Sequence, residues 1–123
     1  MQQVTAITDD IIQTSGIILD DGSVVQMTLQ YVPAQQGWWY SLSYESWQAD
    51  LMRIVVSPDM LRKYRRVIPF GLAVSTIDGY EVVNQSDFVS GRASMFSLNA
   101  ADVKSAEILI TKTIPQLLGN FIQ

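Results

Sequence analysis

The chain has 123 residues, a net charge of −4, 16% charged and 48% apolar residues, and neither cysteine nor histidine. That length fits one domain with one ordinary core. The missing histidine removes the commonest general base, the commonest metal ligand and every Ser-His or Cys-His pair, and the missing cysteine removes disulfides and thiolate metal sites.

The acidic balance argues against general nucleic-acid affinity, which needs a dominant basic face. A charged fraction below the ~25% of average soluble domains points to a surface partly covered by neighbours, the alternative being a well-packed monomer with a Ser/Thr/Gln-rich surface. The start, Met1-Gln2-Gln3-Val4-Thr5, has no positive n-region or long apolar core, and no apolar run approaches the ~20 residues of a transmembrane helix. A soluble, intracellularly made protein is the expectation, with no membrane partner.

Along the chain, Asp9 to Leu19 holds two apolar clusters, Ile11-Ile12 and Ile17-Ile18-Leu19, and Asp20-Asp21-Gly22 is a turn signal. Val25, Met27, Leu29 and Tyr31 then alternate with Gln26, Thr28 and Gln30; a period of two marks a half-buried strand. Pro33 to Gly37 reads as a loop. Trp38, Tyr40, Leu42 and Tyr44 alternate with Trp39, Ser41, Ser43 and Glu45, which makes a second strand and an antiparallel hairpin. Trp39 falls on the face opposite Trp38 and Tyr40. Trp47 to Val56 reads as a third strand.

Ser57 then stands as N-cap, with Pro58 at the first helical position and Asp59 in the first turn. Met60, Leu61 and Tyr64 give one to two turns of helix, and Pro69 ends the segment. Leu72, Val74 and Thr76 begin another strand with Asp78-Gly79 as its turn, Asn84 to Gly91 is a loop, and Arg92 to Leu98 alternates again. From Asn99 the character changes. Asn99-Ala100-Ala101-Asp102 can cap a helix, and helix is favoured, although Ile108-Leu109-Ile110-Thr111 also fits a strand. Leu117, Leu118, Phe121 and Ile122 end the chain as an apolar stretch that exposed alone would be sticky.

The expected fold is therefore mainly β: a small antiparallel barrel or sandwich over 1–98, with one short helix after Ser57. The extension over 99–123 is expected to pack on that domain or on a partner chain.

Motifs for chemistry are missing. There is no phosphate-cradling glycine loop and no nucleophile elbow. Asp9-Asp10 and Asp20-Asp21 lack the alternating spacing and closing Glu of a calcium loop, so no metal or other cofactor is expected. Glu45, Asp50, Asp59 and Asp87 are the carboxylates that a glycosidase would need in pairs, and Trp38, Trp39 and Trp47 would suit a sugar platform. A carbohydrate-binding or other ligand-binding β domain is the alternative reading.

The strongest signal is charge. Five of the eight basic residues, Arg53, Arg62, Lys63, Arg65 and Arg66, fall together, and the first fifty-two residues carry none. Such an island can contact nucleic acid, stabilise a solvated helix end, or form an interface in which arginine grips carboxylates. The last reading is preferred, with Arg62, Lys63, Arg65, Arg66, the outward Trp39 and the terminal Phe121 and Ile122 as protein-interface candidates. Arg62 and Arg66 would share a helical face that Lys63 and Arg65 do not.

Between Gly22 and Leu98 the layout resembles the small baseplate plug proteins of contractile-tailed phages, a family familiar from cyanophage baseplates. The resembling features run in order. An alternating strand leads to Trp38-Trp39-Tyr40-Ser41-Leu42-Ser43-Tyr44, and an apolar strand to Ser57-Pro58-Asp59-Met60-Leu61-Arg62-Lys63-Tyr64. Ile68-Pro69-Phe70-Gly71-Leu72, Asp78-Gly79-Tyr80 and Asp87-Phe88 follow, and a closing strand runs from Ser90-Gly91-Arg92 to Phe96-Ser97-Leu98. The extension from Asn99 to Gln123 departs from that pattern. The resemblance implies a non-enzymatic subunit of the virion, assembled in the host cytoplasm, that helps close the end of the tail tube above the spike. Its implied partners are hub, tube and spike proteins, with several copies around the tail axis and no sequence-specific nucleic acid.

Overall fold

The computed structural model describes residues 1–110. Its strands are β1 (Gln2–Gln3), β2 (Ile12–Ile18), β3 (Val24–Val32), β4 (Gly37–Tyr44), β5 (Trp47–Arg53), β6 (Gly71–Thr76) and β7 (Ala93–Leu98). A helix, α1, covers 100–110.

Two antiparallel sheets result, one in the order β2-β3-β4-β5 and the other β1-β7-β6. They face one another across a shared core and do not close into a barrel. The alternation read from the sequence is what builds this core. Met27 stands opposite Leu42, Leu29 opposite Tyr40 and Tyr31 opposite Trp38, and all six side chains are buried. Leu72, Val74, Ala93 and Met95 of the second sheet close over them. Each fully buried large side chain contributes about 1.5–3 kcal/mol of burial free energy. Aromatic edges lock the two ends: Trp38 meets Tyr31 and Phe88 at one, and Phe70 meets Tyr44 and Trp47 at the other.

Three boundaries differ from the sequence expectation. The third strand stops at Arg53 rather than Val56. Ile54 still donates to the Trp38 carbonyl at 2.9 Å, and the chain then turns toward the other sheet. The loop over 33–37 contains a 3-10 turn, Pro33–Gln35, closed by Gln36 in the left-handed region. Ser57 is not the cap of a helix, because the 3-10 turn begins only at Arg62 with Leu61 at its N-cap; Ser57 instead pairs through its N–H and C=O with Val74 at 3.0 Å, and its Oγ accepts the Asp59 N–H at 3.1 Å.

The short helix after Ser57 is present as one 3-10 turn, Arg62–Tyr64. Asp59 organises its approach. Its Oδ1 accepts the Leu61 N–H at 3.0 Å and the Leu72 N–H at 3.3 Å, so one buried carboxylate joins the turn to β6. Gly71 is required beside it, because a Cβ there would stand 2.6 Å from that same oxygen.

The start of α1 is a capping box. Asn99 Oδ1 accepts the Asp102 N–H at 2.8 Å, and Asp102 Oδ2 accepts the Asn99 N–H at 3.2 Å. The capping signal thus outweighs the strand-like Ile108-Leu109-Ile110 run, which lies within the helix.

Candidate protein interface around the basic turn

The 3-10 turn decides where the basic side chains go. With three residues per turn, positions i and i+3 share a side, so Arg62 is matched with Arg65 rather than with Arg66. Both reach Glu107 on α1. Arg62 Nε donates to Oε2 at 2.8 Å and its terminal nitrogen to Oε1 at 2.9 Å, a two-pronged contact that suits the planar guanidinium. Arg65 Nε stands 3.7 Å from Glu107 Oε2, and its other prong donates to the Arg62 carbonyl at 2.9 Å.

The hydrogen bonds from Arg62 hold the Glu107 carboxyl below its ordinary range, and Glu107 in turn raises the Arg62 guanidinium. The pair is partly exposed, 41% for Arg62 and 25% for Glu107, so it orients the turn more than it stabilises the fold.

That leaves Lys63 and Arg66 on the outside. Lys63 is exposed with its Nζ 5.1 Å from the Tyr64 ring centroid. Arg66 is exposed and forms no ion pair with a described carboxylate. Val67 beside it is 67% exposed. The basic turn divides by partner: Arg62 and Arg65 reach Glu107 on α1, while Lys63 and Arg66, exposed like the neighbouring Val67, reach no described carboxylate.

Trp39 lies elsewhere. It projects from the outer face of the four-stranded sheet, half-buried, with the Arg53 guanidinium 4.9 Å from its ring centroid. Arg53, the first residue of the basic island, is therefore spent on a cation–π contact. Phe121 and Ile122 lie outside the described residues.

Of the carboxylates weighed for glycoside chemistry, Asp59 and Asp87 are buried and bonded to backbone N–H groups. Asp59 is taken up by backbone N–H groups; burial raises its carboxyl above the ordinary range, against the lowering effect of those two hydrogen bonds. Asp87 is buried and accepts Val83 N–H at 3.0 Å, Asn84 N–H at 2.9 Å and an Arg92 prong at 2.8 Å. Asp50 accepts from Gln48, and Glu45 sits in the β4–β5 turn with φ 51°. The tryptophans form no platform, since Trp38 is in the core, Trp47 packs edge-on against Tyr64 and Phe70, and only Trp39 faces outward. Among the described residues no cluster of three or more acidic side chains is arranged to hold a metal ion.

Arg92 is a residue whose weight the sequence hides. Its guanidinium bridges Asp78 at 3.1 and 3.2 Å and Asp87 at 2.8 Å, and it reaches the Glu81 carbonyl at 3.1 Å. One side chain thereby holds the long β6–β7 connection closed. In the sequence Arg92 is a single cation far from the basic island.

No protein-family model matches the chain, and a search of curated proteins finds no match.

Proposed function

We propose that this protein is a non-enzymatic structural subunit of a contractile-tail baseplate, set with the hub at the end of the tail tube near the spike. The single observation that supports docking is the division of the basic turn. Arg62 and Arg65 are committed to Glu107, while Lys63 and Arg66 are presented beside exposed Val67 on a chain of net charge −4. Two exposed cations close in sequence to an exposed apolar side chain suit an acidic protein surface that also offers apolar contact, where electrostatic steering and burial combine.

Arg62 and Arg65 then act as positioning residues. They fix the turn against α1, so that the outer pair is presented in one geometry and loses less side-chain freedom on binding.

The test is assembly. Lys63→Glu with Arg66→Glu, introduced into the particle that carries this chain, is expected to remove the subunit from purified tails while the isolated protein keeps its circular dichroism and unfolding midpoint. Tails that contain the reversed protein at normal occupancy would sink the docking claim. Absence of the unaltered chain from purified tails would sink the baseplate reading as a whole.

A further inference from the structure

Each sheet edge is a row of backbone groups that can recruit another strand, and proteins usually block them. Among the described residues, three of the four edges are blocked. The outer edge of β6 is taken by the segment after β5, through Ser57 with Val74 and the Met60 N–H to the Leu72 carbonyl at 2.7 Å. β5 carries a bulge between its Ala49 and Met52 pairings, with Leu51 at φ 50°. β1 is two residues long.

β2 is different: seven residues, Ile12-Gln13-Thr14-Ser15-Gly16-Ile17-Ile18, with no charge, no proline and no bulge. Its pairing with β3 fixes which groups are free. The Tyr31 N–H donates to the Ile11 carbonyl, and the Leu19 N–H to the Ser23 carbonyl, both at 2.8 Å. Bonded pairs alternate along an antiparallel ladder, so Gln13, Ser15 and Ile17 also direct their backbone groups to β3. Ile12, Thr14, Gly16 and Ile18 direct theirs away from it. Among the described residues nothing bonds to those four N–H groups. Beside them is an open cleft of about 200 Å³ between residues 2–6 and 15–18.

We infer that the β2 edge pairs with the β2 edge of a second copy, antiparallel about a two-fold axis through Ser15. This register alone places Ile12 opposite Ile18 and Thr14 opposite Gly16 of the other copy, so that all four outward residues of both strands become bonded pairs. The side chains agree with it. Ile12 and Ile18, each 66% exposed, cover one another, and the larger Thr14 meets the side-chain-free Gly16. Neither strand carries a charge, and the only like charges the register brings level are Asp9 and Asp10 of one copy with Asp21 and Asp20 of the other, beyond the paired residues. An isologous contact of this kind closes at two copies, and it is independent of the baseplate reading and of any ring around a tail axis.

Cysteine scanning of the full chain tests the register, because the native sequence has no cysteine. In this pairing the two Ser15 residues form a non-bonded pair with Cα atoms about 4.5 Å apart, within disulfide reach. The two Thr14 residues are out of register, beyond the ~7 Å limit. Under mild oxidation Ser15→Cys is expected to give a covalent dimer that reductant reverses, while Thr14→Cys stays single. Light scattering of the unaltered chain is expected to read twice the monomer mass. Ile12→Lys with Ile18→Lys is expected to return monomer, and Ile12→Lys with Ile18→Glu to restore the dimer. A monomer whose Ser15→Cys variant stays reduced overturns the inference, whatever else covers the edge. Equal cross-linking of the Thr14→Cys and Ser15→Cys variants overturns it too, because that is collision without register.

Discussion

The close approach of Gly71 to Asp59 makes a sharp prediction about stability. A Cβ at position 71 would lie 2.6, 2.9 and 3.0 Å from the Asp59 Oδ1, Cγ and Oδ2 atoms. All three atoms belong to a short side chain that is 5% exposed, so it has little room to yield. Gly71→Ala therefore has to move the carboxylate off the Leu61 and Leu72 N–H groups. Two buried donors left without a partner cost about 1–3 kcal/mol each, so the substitution should destabilise by about 2–6 kcal/mol. For a chain of this size that lowers the melting temperature by about 10 °C or more.

The assay is urea and thermal unfolding followed by tryptophan fluorescence, run as a double-mutant cycle with Asp59→Ala. Removing the carboxylate removes the clash, so Gly71→Ala should cost under ~1 kcal/mol in the Asp59→Ala background, and the coupling should exceed ~1 kcal/mol. Additive effects in the two backgrounds would refute the reasoning and place the cost of Gly71→Ala in the backbone of β6.

Glu107 and Asp59 should give stability–pH slopes of opposite sign. Glu107 is depressed in the folded state by the hydrogen bonds from Arg62. Its contribution is present above the ordinary value of 4.5 and is lost as pH falls through the lower folded value. Glu107→Gln should flatten the acid side of the unfolding midpoint against pH. Asp59 is raised by burial above 3.8, so its contribution is present below that value and lost as pH rises through the folded value; Asp59→Asn should remove a slope of the other sign. Arg92→Gln should leave the four-stranded sheet intact and open the β6–β7 connection, seen as faster amide exchange at Val83 and Asn84 with little change at Leu29 or Tyr40. Uniform acceleration across both sheets would show that Arg92 holds the whole fold.

The strands with the larger cores were legible in the sequence because alternation is a local signal. Val25 to Tyr31 and Trp38 to Tyr44 each declare a buried face through period two, and both are strands with that face inward. The β4–β5 turn was not legible, since it bends at Glu45 and Ser46 with a positive φ at Glu45, where an Asn-Gly or Asp-Gly signal is the usual guide. Ser57 reads as the N-cap of a helix over the basic run, yet the 3-10 turn begins only at Arg62. Ser57 is instead bridged to Val74, a contact that no local pattern contains. The basic island was visible as composition, but its division was not. Glu107 is 45 positions from Arg62, and a 3-10 rather than an α-helical turn pairs Arg62 with Arg65.

The pairing of β1 with β7 has a consequence for how the chain is made. The four strands of the larger sheet are contiguous in sequence and can form a meander as they leave the ribosome. The smaller sheet cannot form then, because Gln2 waits for Ser97 and β6 waits for β7. Until residue 98 emerges, Leu29, Tyr40 and Trp38 have no lid, and the uncharged β2 edge is open at the same time. At about 5–20 residues per second this interval lasts several seconds. Synthesis rate and chaperone supply, more than the stability of the finished fold, should then set the soluble yield.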